Sequence, residues 1–234
     1  MTGDMCWLLL HGTPLTPAIW DQLAAHLRPR APTHIPTVIP AGGVADVQRA
    51  LAQQVLGQLD ERLQDIHVVG HSFGGQVALD IALLAPERVG SLTMICSRDT
   101  PYPPFGAAAA ALRRGDAVDI NAAMSRWFRP DELHAEGPVV EYARQCLGHA
   151  DRNSWADALD GIATFDRSPL VSRLDLPVTL IAAEFDQVSK PVDMAELGDR
   201  VVGSRLHVLR GAAHMTPFTD PTLLAELILE GSGR

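Results

Sequence analysis

The sequence predicts an α/β fold, a mostly parallel open sheet with helices on both faces and a helical cap. Three observations predict it. Short, continuously apolar runs (CWLLL, IHVV, SLTMIC, VTLIA) alternate with longer amphipathic segments, the pattern of strands buried on both faces and joined by crossover helices. That alternation stops between residues 101 and 168 and then resumes. Polar residues follow directly on three apolar runs, Ser72, Asp186 and His214, at the strand ends where open parallel sheets gather ligands.

In chain order, residues 6–10 form the first strand, closed by His11-Gly12. Residues 21–27 have helical spacing and stop at Arg28-Pro29-Arg30-Ala31-Pro32. Residues 34–39 read as a second strand, although Pro36 removes a ladder donor. Val47, Leu51, Val55, Leu59 and Leu63 recur at helical spacing and predict an amphipathic helix over 44–63. Residues 66–69 are a third strand, 76–84 a helix stopped ahead of Pro86, and 91–96 a fourth strand. From 101 to 168 the helical segments are broken by Gly and Pro, which reads as an insertion. Then come a strand at 178–182, a helix at 191–202, a strand at 206–209 and a helix at 221–229. The core is therefore expected over 1–100 and 169–234, with the cap over 101–168.

Composition narrows the function classes. The chain has 234 residues, 47% hydrophobic and 20% charged, which is ordinary for a globular domain able to bury a large core unaided. A net charge of −9, with no Lys/Arg run, opposes nucleic acid as partner and leaves a small-molecule substrate. No stretch approaches the roughly 18 apolar residues of a membrane span. The apolar start lacks a basic region and runs into His11-Gly12, so no cleaved signal is expected. Cys6, Cys96 and Cys146 are odd in number and far apart, which fits no disulfide framework or zinc site and points to a reducing, cytoplasmic setting.

The chemistry centres on Gly70-His71-Ser72-Phe73-Gly74. A serine on a tight strand-to-helix turn needs glycine two positions to either side, because the flanking chains pass too closely for side chains. The pentapeptide alone is a weak signal; its strand-to-helix context and its partners carry the weight. A neutral hydroxyl needs a base, and imidazole titrates in the right range, so His214 is the candidate. Asp186 would hold its tautomer, with Asp99 and Glu184 as rivals. The oxyanion donors fall to the N–H of Phe73, after the nucleophile, and to Thr13 in His11-Gly12-Thr13-Pro14, since Pro14 has no N–H. This set supplies base and electrophile by itself, so neither a metal nor an organic cofactor is implied. Arg98, just past a strand end, is a candidate partner for a substrate carboxylate. Trp127, Phe128 and Tyr142, together with Met124, Trp155 and Phe165, are candidates for an apolar pocket in the cap.

On the segments LLLHGTPLTPAIWDQL, VVGHSFGGQVALDIALLAPERV, VTLIAAEFDQVSKP and LRGAAHMTPFTDP, the chain resembles the α/β-hydrolase superfamily over nearly its whole length. The resemblance implies Ser72 as nucleophile, Asp186 as acid, His214 as base and Thr13 with Phe73 as oxyanion hole. Within the insertion and after it, MSRWFRPDEL and WADALDGIATFDRSPLVSRLDLPVTLIAAE are similar to small bacterial esterases and enol-lactonases. Two departures stand out. The opening antiparallel strands of the superfamily are expected to be absent, and Ile39-Pro-Ala-Gly-Gly43 replaces its usual acidic and arginine-containing turn. The expected activity is hydrolysis of a small, partly apolar ester or lactone, with thioesters also open. Lyase, carbon-carbon hydrolase or cofactor-independent oxygen chemistry and a silent ligand receptor remain alternatives on the same scaffold.

Overall fold

The computed structural model describes residues 5–233. Six strands form one sheet: β1 (Met5–Leu10), β2 (Thr33–His34), β3 (Asp65–His71), β4 (Val89–Ile95), β5 (Val178–Ala183) and β6 (Arg205–Leu209). Their order is β2-β1-β3-β4-β5-β6 and every pairing is parallel. β1 and β3 to β5 are buried almost throughout, which is why they read as unbroken apolar runs.

Helices cover both faces. α1 (Asp21–Leu27) packs with α10 (Pro221–Gly231), and α2 (Val47–Gln58) packs with α3 (Phe73–Leu84). α9 (Pro191–Arg200) lies against β5 and β6. Between β4 and β5 come α4 (Pro104–Arg114), α5 (Ile120–Trp127), α6 (Pro130–Ala135), α7 (Pro138–His149) and α8 (Arg152–Thr164). One buried apolar cluster runs from the sheet into these insertion helices, through residues such as Trp127, Trp155 and Ile162. The insertion thus shares its core with the sheet and its helices.

Three elements are shorter than the sequence predicts, and one of them, the helix expected over 191–202, loses only its last two residues by ending at Arg200. The second strand covers only Thr33–His34, because the chain then passes Pro36 and the Val38 N–H donates to His11 Nε2 at 2.9 Å instead of to a neighbouring strand. The helix expected over 44–63 runs from Val47 to Gln58. The Asp46 carboxylate caps its start, and Asp60 holds Arg62 in a turn beyond its end.

Candidate active site

β3 ends at His71 and α3 begins at Phe73, so Ser72 alone makes the turn, at φ 53 and ψ −120. A positive φ is costly for serine and persists only where the surroundings over-determine it. They do so here. A Cβ on Gly70 would run into the Gly74 backbone, and one on Gly74 would run into the carbonyls of Leu10 and His11 at the end of β1. The Ser72 N–H donates to the Ile95 carbonyl at 2.9 Å, and Ser97 Oγ donates to the Ser72 carbonyl at 2.7 Å. Both ends of the turn are therefore tied to β4 and the residues after it.

Asp186 and His214 lie in the loops after β5 and β6. The His214 Nδ1–H donates to Asp186 Oδ2 at 2.8 Å, with both side chains buried. Asp186 Oδ1 accepts the N–H groups of Val188 at 2.7 Å and Ser189 at 3.0 Å. The carboxylate is thereby held in one orientation, and the imidazole keeps its Nε2 as the acceptor. The rival acids are committed elsewhere: Asp99 accepts from Arg200 at 2.8 Å, and Glu184 accepts the Gly211 N–H at 2.8 Å. Ser72, His214 and Thr13 line one cavity of about 190 Å³. Phe73 is the first residue of α3, where a backbone N–H has no carbonyl within the helix to donate to.

Two further histidines buttress the site. His71 Nε2–H donates to the His214 carbonyl at 3.1 Å, and its ring lies 4.8 Å from the His214 ring and 4.9 Å from Phe218. Burial holds His71 well below the ordinary histidine range, so it stays neutral. His11 donates from Nδ1 to the Gly12 carbonyl at 2.9 Å and accepts from Val38; burial lowers its pKa to about 4. The pentapeptide motif leaves the residue at position 71 unspecified. The partner that gives it a role is 143 residues away, so no local signal could reveal it.

Cys96 turns at φ 47 beneath Asp186, with its thiol pushed well above the usual range by burial and by the Asp186 charge. His71, Cys96 and His214 are the one group of metal-capable side chains among the described residues, their ligand atoms lying within 4.8 Å of one another. The Cys96 thiol and His214 Nδ1–H both face Asp186, so these two orient a carboxylate, while His71 holds the His214 carbonyl.

The structure divides the expected pocket residues. Trp127 lines the cavity, its ring 6.3 Å from that of His214, alongside Trp155. Arg98 does not line it: Nε donates to the Thr100 carbonyl at 3.0 Å and Nη1 to the Val188 carbonyl at 3.0 Å, so it braces the Asp186 loop and has no donor fork free for a substrate carboxylate. Phe128 is buried in the apolar core. Tyr142 lines a separate apolar groove, and its hydroxyl accepts the Thr16 N–H at 2.9 Å. The cavity wall also contains residues that the sequence reading did not name: Phe105 on α4 and, along α5, Ala122, Ala123 and Arg126. Spacing of three and four along α5 was the available signal.

The model described as the alpha/beta hydrolase family matches residues 7–227. The chain belongs to the α/β hydrolase family and is an enzyme of the ester-hydrolase and lactonase type. Among relatives, it is 29% identical over 229 residues to a pimeloyl-[acyl-carrier protein] methyl ester esterase of Neisseria meningitidis, covering 90% of this chain and 85% of that one. It is 28% identical over 194 residues to a Pseudomonas syringae protein provisionally named carbamate hydrolase RutD, covering 80% and 74%. Among solved structures, a hydrolase from Pseudomonas aeruginosa superposes with a TM-score of 0.89 at 23% identity, covering 100% of this chain and 92% of that one. At that identity the likeness shows the fold.

Proposed function

We propose that the chain is a serine hydrolase that cleaves a small, partly apolar carboxylic ester or lactone through an acyl-enzyme. Ser72 Oγ attacks the carbonyl carbon while His214 Nε2 takes its proton. The carbonyl oxygen becomes an oxyanion received by the N–H groups of Thr13 and Phe73. The tetrahedral intermediate collapses, His214 returns the proton to the leaving oxygen, and water repeats the sequence on the acyl-enzyme. The observation that carries this reading is the Asp186–His214 hydrogen bond at 2.8 Å, opening onto a cavity that also contains the strained Ser72.

Residues 101–168 act as the cap, whose aromatic and alanine side chains exclude water from the acyl group. An esterase and a 3-oxoadipate enol-lactonase of Acinetobacter baylyi among the relatives support an ester or lactone as the substrate. Three buried, unpaired cysteines fit a reducing cytoplasm.

The decisive test is Ser72→Ala with p-nitrophenyl acetate. Turnover should fall by about 10⁴-fold or more, as removal of a triad nucleophile does elsewhere. The wild-type protein should be labelled on Ser72 by a fluorophosphonate, and the variant should not. Undiminished turnover by the variant overturns the proposal, and labelling without ester turnover points to lyase chemistry instead.

A further inference from the structure

The cavity holding Ser72 and His214 is walled mainly by apolar side chains, and its charged lining residues are Asp116, Asp119 and Arg126. Both acids are committed. Asp116 accepts from Arg114 at 2.7 Å, and Asp119 caps α5 by accepting the Ala122 N–H at 2.9 Å. Arg126 has no hydrogen bond or ion pair with any described residue. Asp119 and Arg126 stand on one cavity-facing stripe of α5, about 10 Å apart along the axis at the helical rise. The arginine is at the end near His214, since the next residue's carbonyl accepts the Met215 N–H at 3.1 Å. Among the charged lining residues, Arg126 is thus the one without a hydrogen-bond or ion-pair partner among the described residues, and it is the one cation of the lining in a protein of net charge −9.

We propose that Arg126 is an anion-binding subsite of this cavity, so that the substrates are esters or lactones that also carry a carboxylate. The inference rests on the serine-hydrolase reading for the reacting end and adds the recognition of the substrate's second functional group. A guanidinium presents paired N–H donors that match a carboxylate, and Arg126, exposed at the cavity wall, has those donors open to an incoming ligand. A neutral ester of the same shape would leave that donor pair unused.

The test compares monomethyl adipate with its neutral amide, methyl adipamate, and adds calorimetric titration of adipate itself. The wild-type protein should favour the acid over the amide in kcat/KM by on the order of tenfold, the scale of one charge-assisted hydrogen bond. That ratio should fall towards one in Arg126→Ala, survive in part in Arg126→Lys, and shrink as salt is added. Adipate should bind the wild-type protein measurably and Arg126→Ala far more weakly, a readout that does not need turnover. No preference in the wild-type protein, or a ratio unchanged in Arg126→Ala, overturns the subsite while neutral-ester turnover leaves the hydrolase reading standing. If neither ester is cleaved and Ser72 is not labelled, the hydrolase reading fails. Adipate binding lost in Arg126→Ala would then still support the anion subsite, and its absence from the wild-type protein would overturn it.

Discussion

Ser72 and His71 are neighbours with different tasks, and their backbone geometry separates them. Ser72 is pushed into the cavity by a turn at φ 53, whereas His71, still in β3, points beneath it and holds the carbonyl of His214. One dipeptide thus couples Ser72 to the loop that carries His214. His71→Ala leaves that carbonyl without its donor and the ring space empty, and kcat should fall about tenfold, the scale of one buried hydrogen bond. His71→Gln, which keeps an amide donor, should recover most of the loss with KM little changed; equal losses in both variants would mean the ring acts by packing alone. Ser72 was legible because the glycines required by its turn are local in sequence. The choice of Asp186 over Asp99 was not local, since it depends on Arg200 having already paired with Asp99.

At the scale of elements, the two periodicities did most of the work. Buried parallel strands read as apolar runs, and α2, α9 and α10 read from spacing of three and four, with errors only at their ends. Those ends are set by single side chains, such as the Asp46 cap and the His11 ring that takes the Val38 N–H. α5 shows what spacing alone does not tell. Its stripe of Asp119, Ala122, Ala123 and Arg126 faces a cavity, whereas a similar stripe on α2 faces the core. Because Ala123 is buried against that cavity, Ala123→Leu should fill part of it. The variant's kcat/KM for a long-chain p-nitrophenyl ester, relative to the acetate, should drop about tenfold, given typical overpacking costs. An unchanged chain-length profile would place the acyl group elsewhere.

At the scale of the whole molecule, Arg167 is a charged fastening point between the insertion and the core. Its guanidinium donates to Asp80 on α3 at 2.6 Å and to Asp46 at the start of α2 at 2.7 Å, while its backbone N–H donates to the Asp99 carbonyl at 2.7 Å. Asp80 is fully buried, and burial keeps its carboxyl above the usual range even with Arg167 lowering it. The folded protein therefore binds this proton more tightly than the unfolded chain, and the contribution to stability declines as pH rises through that range. Arg167→Met strips the partner from a buried acid and should cost about 3–5 kcal/mol by urea unfolding near neutral pH. The loss should be smaller near pH 5, and the Asp80→Asn, Arg167→Met double variant should regain much of it. A single-variant loss that is the same at both pH values would show that the pair contributes only packing.

The sequence by itself determined the α/β class, the break in strand–helix alternation between β4 and β5, and the strand-end positions of Ser72 and His214, with Asp99 and Glu184 left beside Asp186. Each depends on local periodicity or on a turn whose steric needs are written within a few residues. Only the tertiary structure decided which polar groups were already spent. Arg98 looked available from its position after β4, yet its donors go to Thr100 and Val188, whereas Arg126, unremarkable in sequence, is left free against the cavity. The physical reason is that hydrogen-bonding capacity is consumed by partners far away along the chain. What remains to meet a substrate is known only after the fold has made its own pairings.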